Sequence, residues 1–110
     1  MTITVLIGPV IAQGEALSEG LDCSAGQIVK ITMPADWTTA DLTFQTSSDG
    51  QGYNDIYQAD GNELKCTVRA GTAIVGLGLA KGWIKFRSGT SEQPVVQPAR
   101  REFAVAVEAP

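Results

Sequence analysis

The chain has 110 residues, 12 acidic and 8 basic with no histidine, so its net charge is −4 and its pI is near 4.6. This length suits one hydrophobic core burying roughly two-thirds of the unfolded surface. The acidic balance excludes the clustered Lys and Arg of phosphate-backbone binders, and the missing histidine excludes His-containing catalytic triads and His-ligated metal sites.

Charged residues make up only 18% of the chain, below the roughly 25% of ordinary soluble domains. Together with 12 glycines and many Ser, Thr and Val residues, this favours short strands and tight turns over helices with charged faces. The mostly apolar stretch Ile3 to Ala12 is shorter than the roughly 20 residues of a membrane helix, and no basic segment precedes it. The expectation is a chain made in the cytoplasm without a signal peptide and without a nucleic-acid or membrane partner. Its first strand starts at Thr2 and stops at Gly8-Pro9.

Leu21 and Cys23 alternate next, and Ile28 to Met33 reads as a central strand with Val29, Ile31 and Met33 on one face, ended by Pro34. After the corner at Pro34 to Trp37, Leu42 and Phe44 alternate with Thr43 and Gln45, which predicts one core-facing and one wet face over Asp41 to Ser47. Ser48-Asp49-Gly50-Gln51-Gly52 is a turn, because glycine accepts positive φ and Asp bonds nearby backbone. A return from Tyr53 to Tyr57 follows, then the turn Asp60-Gly61-Asn62 and a strand from Glu63 to Arg69.

Ala70-Gly71 opens the run Thr72 to Leu77, with at most one helical turn over Gly76 to Lys81 because two glycines there disfavour helix. Trp83 to Ser88 alternates again, with Ile84 and Phe86 inward and Lys85 and Arg87 outward. A proline-bearing loop, Gly89 to Ala99, leads to a last strand from Arg101 to Val107. Turns spaced roughly ten residues apart predict an all-β fold: an antiparallel β-sandwich or jelly roll of about eight or nine short strands in a single domain, residues 1–110, with terminal strands that can pair.

Chemistry-bearing groups are few. Asp49, Asp55, Asp60 and Glu63 lie in or beside glycine-rich turns, where acids ordinarily serve as turn formers; a calcium ion held by Asp49, Asp55 and Asp60 is the alternative, although the EF-hand spacing is absent. Cys23 and Cys66 each sit in phase with apolar neighbours, which reads as buried thiols, with an intramolecular or intermolecular bridge as alternatives. Trp37, Tyr53, Tyr57 and Trp83 are candidates for a ligand platform if they share a groove, Trp37 and Trp83 by partial exposure. Pro94, Val95, Val96 and Pro98, flanked by Arg100 and Arg101, form either an ordinary surface connection or a contact loop that inserts its valines into a neighbour. No cofactor is implied, and no catalytic residue is assigned.

Two stretches carry a resemblance: Trp37 to Gly50 followed by Tyr53-Asn54-Asp55-Ile56-Tyr57, and Ile84 to Thr90 followed by Pro94-Val95. Together they resemble small β-sandwich proteins encoded in the virion gene modules of tailed phages and prophages. The strand followed by a Ser-Asp-Gly turn is similar to the galactose-binding, discoidin-like jelly roll. The resemblance implies a non-enzymatic virion protein of the head, neck, collar or tail, packed as a homo-oligomer or symmetric array against other virion proteins. A host-surface glycan is the alternative partner, and the likeness carries over no sugar-binding residue.

Overall fold

A computed structural model describes residues 2–79 and 82–110, apart from the side chains at positions 76–78. Nine strands form in chain order: β1 (Thr2–Ile11), β2 (Leu21–Asp22), β3 (Gln27–Thr32), β4 (Leu42–Ser47), β5 (Asn54–Asp55), β6 (Lys65–Cys66), β7 (Ala73–Leu79), β8 (Trp83–Ser88) and β9 (Arg101–Ala109). No helix occurs among the described residues. One antiparallel sheet has the order β1-β9-β3-β7; the other runs β2-β8-β4-β5, with β6 also pairing with β4. These two sheets are the layers of a β-sandwich, and the terminal strands β1 and β9 pair along most of their length.

The chain passes repeatedly between the layers, so each strand contributes an inward row to a shared core. Ile28, Ile31, Phe103 and Val105 come from the four-stranded sheet, and Leu42, Phe44 and Phe86 from the five-stranded one; all are at most 1% exposed. The Phe86 ring meets Phe44 edge-on at 5.3 Å and Phe103 at 4.9 Å, and Phe103 in turn meets Trp37 at 5.6 Å. This aromatic row bridges the layers at the separations where edge-to-face geometry is attractive.

Strand lengths in the second sheet have a simple cause. β8 occupies one edge of β4 from Leu42 to Ser47, while the other edge is divided between β5, opposite Gln45 and Thr46, and β6, opposite Leu42 and Thr43. The expected strand from Glu63 to Arg69 therefore contracts to Lys65–Cys66, with Glu63 held in an isolated bridge to Tyr57. Strand structure continues over residues 76–79, so a helical turn starting at Gly76 does not form; its end, positions 80 and 81, lies outside the described residues.

Two bulges reset side-chain parity. In β3 one extra residue between Ile28 and Lys30 lets Ile28 join Ile31 inside, so Val29, expected inward, is only half-buried. In β1 the pairing moves from Ile7↔Ala104 to Val10↔Glu102, with Gly8 at a φ of 129°, a conformation open to glycine. Odd-numbered residues before this bulge face outward and Ile11 beyond it faces the core.

Candidate functional site

The proline loop is anchored more firmly than its composition suggests. Gln97 is fully buried; its Nε2 donates to the Thr38 carbonyl at 3.1 Å and to Ser88 Oγ at 2.8 Å. Its Oε1 accepts from the Thr38 N–H at 3.1 Å and from Arg101 Nε at 2.9 Å. Every donor and acceptor of the amide is used. Arg101, expected on the rim of a contact loop, is instead buried, bonded to Thr38 Oγ1 at 3.0 Å and paired with Asp36 at 2.7 Å. Arg100 stays on the surface beside Glu102. Pro94, Val96 and Pro98 are exposed and Val95 is half-buried, so Val96 alone of the valine pair projects freely.

The aromatic candidates do not share one groove. Trp37 is buried at its corner, packed on Phe103, with its indole N–H donating to the Ala40 carbonyl at 3.2 Å, which corrects the expectation of exposure. Trp83 and Tyr53 are half-buried: Trp83 lies on Gly50, and Tyr53 stacks under Lys85, whose Nζ is 4.4 Å from the ring centroid. Burial, with the Asp49 charge second, raises the Tyr53 hydroxyl pKa. Tyr57 is exposed and borders an open, mostly polar cleft of about 620 Å³, shared with Asn62, Glu63, Lys65, Thr90 and Glu92.

The carboxylates are engaged separately. Asp49 accepts from the N–H groups of Gln51 and Gly52 and from Ser47 Oγ, which holds its pKa below the ordinary carboxylate value. Asp60 caps the Asn62 N–H at 2.9 Å. Asp55, in the return that follows the Ser48–Gly52 turn, lies on β5 and pairs with Arg87, whose hydrogen bond lowers the Asp55 pKa with help from Gln45. Among the described residues no three metal-ligating side chains converge.

Arg87 is outward on its strand, as expected, and yet buried. It does point to the outer face of its sheet, but the hairpin carrying Asp55 and Glu63 and the loop at Ser91 cover it. Glu63 contacts Arg87 at 3.1 Å and accepts from both the N–H and the hydroxyl of Ser91 at 3.1 Å. Cys23 is buried and Cys66 half-buried, both as free thiols. Burial, with the Asp22 charge second, pushes the Cys23 pKa up to about 11, so its thiol is a packing group at neutral pH.

The most unusual surface lies elsewhere, on the outer face of the four-stranded sheet. Ile3, Val5 and Ile7 are 59%, 63% and 68% exposed. Register places Val5 beside Ala106, then Lys30, then Val75, and Ile7 beside Ala104, then Thr32, then Ala73. One half of this face is therefore aliphatic, bounded by Glu102 and Glu108 on β9. Strand β1 pairs only with β9, which leaves its other edge without a strand partner among the described residues. Sequence reasoning identified β1 but not its outward row; the Gly8-Pro9 interruption inside an apolar run is the signal that parity changes there. Comparisons with protein-family models, with curated proteins and with solved structures yield no match.

Proposed function

We propose that this chain is a non-enzymatic structural subunit of a tailed-phage particle, in the head decoration, neck, collar or tail, that works through protein–protein contacts and belongs to the virion. The observation that carries the reading is the uncharged aliphatic half-face formed by Ile3, Val5, Ile7, Ala104 and Ala106, next to a strand edge that pairs with no other strand among the described residues. Exposed apolar surface of this kind belongs to interfaces, and the resemblance of the Trp37–Tyr57 and Ile84–Val95 stretches to virion proteins supplies the setting. Symmetric particles repeat one contact many times, so a modest patch on each subunit suffices. Mass spectrometry of purified particles tests the proposal: the chain is expected at a fixed stoichiometry, and its absence refutes the reading.

A second reading, carbohydrate recognition, is supported by one feature, the exposed Tyr57 ring at the polar cleft with Asn62 and the exposed Glu92. A ring beside amide and carboxylate groups suits a sugar, whose apolar face stacks while its hydroxyls bond. Glycan-array binding that disappears in Tyr57→Ala would favour this reading. A blank array with the wild-type chain removes it.

A further inference from the structure

We infer that the partner of β1 is a second copy of this chain, joined by antiparallel pairing of β1 with β1 about a two-fold axis at Val5. The inference rests on the assembly reading above and names its contact. From Thr2 to Ile7 one whole edge of β1 presents backbone N–H and C=O groups to no other strand among the described residues. Past the bulge the chain closes the edge itself, because the Glu19 N–H donates to the Val10 carbonyl at 3.3 Å. Edge strands are ordinarily protected by charge, proline or brevity. The strands β2, β5 and β6 are protected by brevity, at two residues each. β1 has 10 residues, and no charged side chain occurs between Thr2 and Gln13.

One register of β1 with its own copy pairs all three exposed aliphatic residues, Ile3, Val5 and Ile7. With Val5 opposite Val5 of the second copy, Ile3 meets Ile7 of that copy, and Ile7 meets its Ile3. Antiparallel partners share a face, so the outward rows of both copies merge into one aliphatic strip across a continuous sheet. Charge agrees with this placement. A chain of net charge −4 repels its copy on average, but the nearest carboxylates, Glu102 and Glu108, lie one strand back on β9. In this register the row containing Glu108 continues through Ile3 to Ile7 and Ala104 of the second copy, so no carboxylate faces another. The paired edge is about 20 Å long and buries less than the roughly 800 Å² per partner of a free-standing complex. Its affinity is correspondingly modest, and repetition in an array strengthens it.

Sedimentation velocity over a concentration series, with the wild type, Val5→Lys, Val5→Glu and an equimolar mixture of the two variants, tests the register. Val5 is 63% exposed, so these changes spare the monomer fold. The wild type is expected to dimerise, and each variant alone to raise the dissociation constant about tenfold or more, because like charges meet across the axis. The mixture should recover dimer at low salt and lose it as salt screens the pair. Val5→Cys should give a disulfide-linked dimer under mild oxidation, while Val75→Cys and the wild type stay uncrosslinked. A wild type that remains monomeric with no Val5→Cys cross-link overturns the inference, as does a mixture no better than its components. Open-ended polymers would overturn it in favour of β1 pairing with the β7 edge, a head-to-tail contact that does not close. If the chain is nevertheless found in purified particles, the partner is refuted and the assembly role stands.

Discussion

Replacing Arg87 by Met removes one cation from between two carboxylates while keeping much of the side-chain volume. The Arg87 side chain is 8% exposed, Glu63 12% and Asp55 32%. Deleting one partner of a buried ion pair typically costs about 3–5 kcal/mol, since the other is left without compensation. The lower end applies here: Glu63 keeps both donors of Ser91, and Asp55 keeps the Gln45 amide and partial access to water. The expected loss is thus about 3 kcal/mol in urea titration, or a fall in Tm of roughly 12 °C for a domain of this size. Asp55→Asn should cost least of the three single changes, because solvent screens its side of the pair, and Glu63→Gln should fall between. The pH dependence has a definite sign. Arg87 holds the Asp55 carboxyl below its ordinary value of 3.8 in the folded state. The resulting stabilisation is fully present above the unfolded pKa and is lost as pH falls below about 4 toward the folded value. Arg87→Met should flatten the wild-type decline in stability below that pH. A variant within about 0.5 kcal/mol of wild type, the size of an ordinary surface change, with an unchanged acid limb, would refute the reasoning.

Gln97→Leu should cost about 3 kcal/mol or more in the same titration, because it strands the Thr38 N–H and the Thr38 carbonyl and takes one acceptor from Arg101, which keeps Thr38 Oγ1 and Asp36; a neutral result would mean water replaces the amide. Gly26→Ala should impair folding sharply, since a methyl there overlaps the Glu108 carbonyl of β9, whereas Gly61→Ala meets no neighbour and is strained only by its φ of 88°. Recovery of soluble protein and Tm separate the two, and the reasoning fails if Gly26→Ala is the milder. Cys23 should resist thiol-reactive dye in the folded state and react at once in denaturant, as its burial and its pKa of about 11 require; labelling at equal rates in both states would contradict its placement in the core.

The alternation of Leu42 and Phe44, of Ile84 and Phe86, and the evenly spaced Gly and Asp turns determined the all-β class, most strand positions and the turn roles of Asp49 and Asp60. These features are local, because a strand's period and a turn's φ are properties of neighbouring residues. Tertiary structure decided whatever depends on distant segments. Arg87 lies at an outward position that its own strand cannot tell from Lys85; only the hairpin with Asp55 and Glu63 covers one and not the other. Gln97 looks like a loop residue until Thr38, Ser88 and Arg101 gather around its amide. The outward row Ile3, Val5, Ile7 was visible as letters, yet its exposure follows from the bulge at Gly8-Pro9 and from the place of β1 at the end of a sheet. A bulge shifts every side chain beyond it to the opposite face, and strand order is set by pairing between residues far apart in the chain.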